Sequence, residues 1–198
     1  LGYTIDESAQ LAEAALLYKN VGDGIDDISE ASESIISTMK AFNIEASNAI
    51  SIVDKFNIVG NNFAISSEGI GEALTRSAAS LAAAGNTLEE SIALITAANS
   101  VIQDPDVVGT AMKTLSMYLR ASKTEAEEIG IDTDGMADSV SKLRQEIKSL
   151  TGVEIMKNKD EFKSTIQILR EIAEVWDDLS DVTQANIMER LAGKRQGN

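Results

Sequence analysis

Five places in this sequence carry residue types that chemistry uses. Gly69-Ile70-Gly71 has the beginning of a phosphate-cradling loop, in which glycines let backbone N–H groups close on an anion. It lacks the third glycine and a preceding strand, so it reads instead as glycines that allow helices to pack closely. Gly193-Lys194-Arg195 looks like the end of a nucleotide loop, but no glycine stands upstream at the required spacing and no Ser or Thr follows the lysine. Asp132-Thr133-Asp134-Gly135 with Asp138 has the oxygen donors of a calcium loop. An EF-hand would then need an oxygen ligand at Met136 and a glycine at Ala137, and both positions fail. Paired carboxylates, Asp177 with Asp178 and Glu127 with Glu128, bring to mind glycoside hydrolysis. That chemistry needs two carboxyls facing each other across a cleft, and aromatic residues are only 4% of this chain. Carboxylates that occur on every helix are better read as a solvated surface.

Two absences narrow the chemistry further. There is no histidine, which removes the usual general base and the commonest metal ligand, and there is no cysteine, which removes disulfides, thiol nucleophiles and zinc–thiolate sites. The sequence therefore assigns no catalytic, cofactor-binding or metal-binding residue, and the expectation is a protein that is not an enzyme and needs no cofactor. A peptidoglycan hydrolase is the enzyme class weighed and set aside.

The elements that would hold any site are helices. Thr4-x-x-Glu7 is a capping box opening a helix from Thr4 to Asn20, with Ala12, Leu16 and Leu17 on its inner face and Gly22 stopping it. A second helix runs from Glu30 to Asn43 through Ile35, Ile36, Met39 and Phe42. A third runs from Glu45 to Val59 with Ala49, Ile52, Val53 and Phe56 inward, broken at Gly60-Asn61-Asn62. Ser67 to Ala84 carries Ile70, Leu74, Ala78 and Leu81 in register and is closed by Gly85. Thr87-x-x-Glu90 caps the next helix, with the stripe Leu88, Ile92, Ile95 and Ile102. Asp104 and Pro105 read as N-cap and first residue of a helix whose inner face is Val108, Ala111, Met112, Leu115 and Leu119.

After Ser122 the character changes. Lys123 to Ile129 is a short charged helix, 131–139 a loop, and Ala137 to Leu150 an amphipathic helix through Val140, Leu143, Ile147 and Leu150. The stretch 153–159 reads as a short strand or hairpin. Asp160 to Asp178 is helical, carrying Phe162, Ile166, Leu169, Ala173 and Trp176, and a last helix covers Asp181 to Leu191. Trp176, the sole tryptophan, is read as core ahead of an interface anchor. In the closing LAGKRQGN, the cations Lys194 and Arg195 complement the carbonyl end of a helix. The fold expected is all-α, a multi-helix bundle of short amphipathic helices, divided as 1–122 and 123–198. The 198 residues suffice for one domain with a sizeable core or for two small helical units. A chain starting at Leu1 rather than Met reads as a fragment of a longer polypeptide.

Composition agrees with that architecture. Hydrophobic residues make up 43%, so this is no disordered tail, and a core of aliphatic residues and alanine suits helix-on-helix packing. The net charge of −15 argues against direct nucleic-acid binding and against adhesion to an anionic membrane, and suits a basic partner. No stretch approaches the roughly 20 apolar residues that span a bilayer, so no membrane span is expected.

Several blocks resemble one known family. They are AFNIEASNAISIVDKF (Ala41 to Phe56), EALTRSAASLAAAGNTLEESIALITAA (Glu72 to Ala98), VVGTAMKTLSMYLR (Val107 to Arg120), EFKSTIQILREIAEVWDDLSDVTQANI and the closing LAGKRQGN. In this order and spacing they resemble the core region of tail tape measure proteins of long-tailed bacteriophages, the TP901-like minor tail proteins. The resemblance runs from about residue 30 to the end. It implies a structural protein of a phage or prophage virion tail, made in the host cytoplasm, that sets tail length, nucleates tube assembly and is released during genome ejection. It also implies a homo-oligomer and partners among tail tube proteins, tail tip or baseplate proteins and tail assembly chaperones. The alternative, from composition alone, is an acidic helical protein-interaction module without catalytic activity.

Overall fold

A computed structural model of the chain describes residues 2–193, and among these the fold is all-α. The contacts divide the chain into two compact units, one formed by 1–82 and 87–112, the other by 83–86 and 113–198. The composition changes after Ser122, whereas the contacts change sides inside one helix, between Met112 and Lys113.

The first unit is built from α1 (Ile5–Val21), α2 (Ile28–Phe42), α3 (Ala49–Asn62), α4 (Ser67–Ala83), α5 (Leu88–Ile102) and the first part of α6 (Pro105–Tyr118). Its helices start where side chains satisfy the free N–H groups of a first turn. Both capping boxes form: Thr4 and Glu7 bond reciprocally at α1, and Thr87 and Glu90 at α5. At α6 the Val107 N–H donates to Asp104 Oδ1 at 3.1 Å, with Pro105 as first residue. The core is aliphatic and alanine-rich, with one aromatic pair at its centre. Tyr18 and Phe56 meet edge to face, ring centroids 5.7 Å apart, both fully buried. The Tyr18 hydroxyl donates to the Ser67 carbonyl at 2.5 Å. Burial holds that phenol far above its ordinary range, so it stays a donor.

Two inner faces and one pair of helix boundaries differ from the sequence expectation, while α3 buries the expected Ala49, Ile52, Val53 and Phe56. On α1 the buried residues are Leu11, Ala14, Ala15 and Tyr18, while Ala12 is exposed and Leu16 is 50% exposed. This helix is apolar on two sides, so its pattern fits either face, and the Tyr18 hydroxyl bond selects one. On α5 the stripe ends in Asn99 rather than Ile102, which is exposed. Asn99 is buried because its Nδ2 donates to the Ala64 carbonyl at 3.0 Å. Third, α3 starts at Ala49, after a 3-10 turn (Ala46–Asn48), and continues through Gly60 to Asn62. Gly60 is there for space: a Cβ on it would lie 2.9 Å from Ser67 Oγ and 3.0 Å from Ser67 N.

The second unit contains the rest of α6, then α7 (Lys123–Glu128), α8 (Val140–Thr151), α9 (Thr165–Val175) and α10 (Asp181–Ala192), together with the short stretch 83–86. Leu119, Leu143, Ile147, Ile155, Ile168 and Ile187 are fully buried in its core. The expected hairpin is present as a turn rather than as strands. Lys157 N–H donates to Glu161 O at 2.8 Å and Lys163 N–H to Ile155 O at 3.0 Å, around a single antiparallel bridge from Met156 to Phe162. The helix expected from Asp160 therefore begins only at Thr165, where Ser164 and Gln167 form a capping box. Phe162 leaves the helical stripe and lies under the Arg120 guanidinium, 4.4 Å from its ring centroid. Ala173 is exposed, and Ile168 and Ile172 form the buried face instead.

Arg120 organises this unit. Its Nη2 donates to the carbonyls of Ala84 at 2.5 Å and Lys163 at 2.9 Å, and burial lowers its pKa to about 10. The guanidinium therefore remains charged at neutral pH, held by carbonyl dipoles and a ring face. Asn86 Oδ1 accepts from the Ile166 N–H at 3.0 Å, capping the first turn of α9 from outside the helix.

One electrostatic contact in this unit has a pH signature. Glu154 accepts two hydrogen bonds from Arg144, both at 2.7 Å, and one from the Met156 N–H at 3.1 Å, and these, with Lys148, lower its pKa to about 2. A depressed carboxyl stabilises the fold above its unfolded value, about 4.3, and loses that contribution as pH falls through the folded value. Glu154→Gln is expected to lower the melting temperature at pH 7, and the deficit should shrink between pH 4.5 and 2. A deficit unchanged across that range, followed by thermal circular dichroism, would show that the carboxylate charge has no part in it.

Candidate functional site

Where the sequence placed residues capable of chemistry, the structure uses them for packing and turns. Gly69 and Gly71 lie inside α4. A Cβ on Gly69 would be 2.8 Å from Pro105 Cγ, and one on Gly71 would be 2.8 Å from the Tyr18 hydroxyl and in collision with Ser34 Oγ. Both are places where helices close on one another.

The Asp132–Asp138 loop is occupied by its own protein. Tyr118 hydroxyl donates to the carbonyls of Asp132 at 2.8 Å and Asp134 at 3.3 Å, and Arg190 to that of Gly135 at 2.9 Å. Asp138 pairs with Lys142 at 2.9 Å and Lys123 at 3.4 Å, which lowers its pKa. Among the described residues no group of three or more carboxylates is gathered as a metal site requires. Asp177 and Asp178 are exposed in a 3-10 turn (Trp176–Asp178) following α9, and Glu127 accepts from Thr133 Oγ1 at 3.1 Å. Trp176 is half-buried at the edge of the second core, beside the buried Ile172 and the partly buried Leu169. Of the closing cluster, Leu191 is buried in that core and Gly193 sits against Tyr118, while 194–198 lie outside the described residues.

The feature that sequence reasoning missed is a groove in the first unit. It runs between the C-terminal half of α3 and the outer face of α5, with a volume of about 520 Å³. Its lining is apolar: Ile58, Val59 and Phe63 on one side, Ile92, Ala93 and Ala97 on the other. Ile58 is 62% exposed and Phe63 60%, so two large apolar side chains stand open at its rim. One end carries an ion pair, Lys55 to Glu89 at 3.6 Å. From Phe56 to Ser67 and from Ser91 to Gln103 there is no ionisable residue at all. Those two uncharged runs were a visible signal, in a chain that is 25% charged. They do not by themselves reveal a groove, because a helical stripe reads as core until packing shows which side of it is covered.

The unit that bears the groove is acidic as a whole. The first unit holds sixteen carboxylates against four cations, whereas the second holds sixteen against thirteen. Of the chain's net charge of −15, −12 thus belongs to the unit that bears the groove. Its most crowded point is Glu68, whose pKa is raised by burial and by Glu30, Glu72, Asp26 and Asp23 around it. An apolar trough with a single ion pair at one end, in an acidic unit, is suited to binding another polypeptide.

A family model described as phage-related minor tail protein matches residues 1–193, nearly the whole chain. No solved structure matches it.

Proposed function

The chain belongs to the phage-related minor tail protein family, and from that premise we propose that its parent is a tail tape measure protein in which these residues form a folded, non-catalytic part. Membership makes it a structural component of a phage tail, located in the virion tail. The finer reading rests on the blocks Ala41–Phe56, Glu72–Ala98 and Val107–Arg120, which resemble the tape measure core region. In that role the parent sets tail length, nucleates polymerisation of the tube and leaves ahead of the genome. It works as a homo-oligomer, with tube, tip or baseplate proteins and assembly chaperones as partners, and acts first in the host cytoplasm.

The mechanism proposed for this part is not that of a rod. A helix converts residue count into length at 1.5 Å per residue. The longest helices here, α1 and α4, have 17 residues each, about 25 Å, and the chain folds back after each of them, α1 packing on α2 and α3. The ruling segment then lies elsewhere in the parent, and this part supplies folded units for initiation or tip architecture. With no cysteine, no disulfide locks these units closed against passage through a tube. The observation that carries the tail assignment is the family match over residues 1–193, and the block resemblance supports the tape measure role. Mass spectrometry of purified tails from particles encoding this chain should find its peptides throughout that range. Tails that lack them would overturn it and favour the second reading, an acidic interaction module without catalytic activity, to which the apolar groove points.

A further inference from the structure

We propose that the groove between α3 and α5 is the docking site of an amphipathic helix with an aliphatic inner face and a basic outer face. Three observations define that occupant. The first is apolar complementarity: Ile58 and Phe63 stand open at the rim over Val59 and Ile92, a surface that gains from covering by other apolar side chains. The second is shape. The α5 wall is made of Ala93 and Ala97, four residues apart and both exposed, which lets a second helix backbone come close. From Glu89 to Ser100 the trough is about 16 Å long, which accommodates about three turns of a docked helix anchored at positions i, i+4 and i+7.

The third observation is charge. No ionisable residue interrupts either wall between Phe56 and Ser67 or between Ser91 and Gln103. The unit around the groove carries sixteen carboxylates against four cations. A docked helix therefore buries its apolar stripe without stranding a charge, while its outer face lies in a negative field. Lysine and arginine there speed encounter and select against acidic competitors. The same field opposes a second copy of this unit, because two such surfaces repel each other. The inference does not rest on the tape measure reading, since it concerns the groove alone and is tested with the isolated chain.

The test uses fluorescence anisotropy with two synthetic helical peptides sharing one leucine face, one with a lysine outer face and one with a glutamate outer face. The lysine peptide is expected to bind wild type, with an affinity that falls as salt rises, and the glutamate peptide to bind about tenfold or more weakly. Ala97→Arg places a cation in the trough and is expected to weaken the lysine peptide by about tenfold or more. Gln10→Arg, the same charge change at an exposed position of α1, is expected to leave binding unchanged. Ala93→Arg serves as the second groove variant if Ala97→Arg alters the circular dichroism spectrum. Equal weakening by Ala97→Arg and Gln10→Arg would reduce the attraction to net charge and overturn the site. Equal binding of the two peptides would overturn the basic occupant. Sedimentation of wild type as a dimer that Ala97→Arg converts to monomer would give the groove to a second copy instead.

Discussion

Gly109→Val is expected to destabilise the first unit by about 3 kcal/mol or more, near the upper end of overpacking costs. Gly109 lies within α6 where it crosses α4. A Cβ there would stand 2.6 Å from the Ala73 carbonyl oxygen and 2.9 Å from Ala73 Cα. These are backbone atoms, so relief requires α4 itself to move, with the fully buried Leu74 and Ala73 on it. Gly109→Ala is the sharper diagnostic. In an exposed helix that change stabilises by about 1 kcal/mol. Here the contact with α4 outweighs the propensity gain, so the expected sign is reversed. Thermal unfolding followed by circular dichroism reads the effect, and hydrogen exchange along α4 and α6 localises it. A higher melting temperature for Gly109→Ala would mean that the two helices are not this close.

The second large effect is expected in the other unit. Leu119→Asp should cost at least about 3 kcal/mol, because it places an unpaired carboxylate where burial is complete. Leu119 is 0% exposed among Leu143, Ile147 and Ile168, and the neighbouring Arg120 is already committed to the carbonyls of Ala84 and Lys163. Leu115, one turn earlier on the expected inner face, is only half-buried, so Leu115→Asp should cost about 1 kcal/mol, as is usual for point changes. The two variants separate by pH as well. A buried carboxyl titrates above its unfolded value, so the Leu119→Asp deficit, measured against wild type at each pH, should shrink on acidification as the group becomes neutral. Trp176 lies in this unit and is the only tryptophan, so its fluorescence reports the transition directly. Equal deficits for the two variants would show that α6 presents a different face to the second core.

Much of the architecture was legible because helix starts are local events. Thr4 with Glu7, Thr87 with Glu90, and Asp104 before Pro105 each satisfy free N–H groups within a few residues, and all three form. What lay out of reach depends on contacts far apart in sequence. The inner face of α1 is chosen by a hydroxyl bond from Tyr18 to Ser67, and the burial of Asn99 by a bond to Ala64. The start of α9 is fixed by the Ser164 cap after a turn that sets Phe162 under Arg120, so a run that looked helical from Asp160 is not. Gly60 resembles a stop signal but serves a close approach to Ser67. Stop signals mark where helices end, not where the chain changes packing partners, and α6 makes that change in mid-helix. Among the candidate sites, Gly69 and Gly71 stand where helices approach closely, and the Asp132–Asp138 loop is held by Tyr118 and Arg190. The groove was not legible, since Ile58 and Phe63 are apolar residues at and just beyond the end of a helix, and only the fold shows them uncovered.

The proposal that this chain is a folded part of a tape measure protein, and not its ruling rod, is tested by tail length in electron micrographs after in-frame removal of residues 1–193 from the parent gene. Fewer assembled tails are expected, with those that form keeping their wild-type length. Tails shortened by about 290 Å, in proportion to the residues removed at helical rise, would contradict it by making these residues part of the ruler. Wild-type numbers of normal, infectious particles would contradict it from the other side, by showing that the tail is built and works without them.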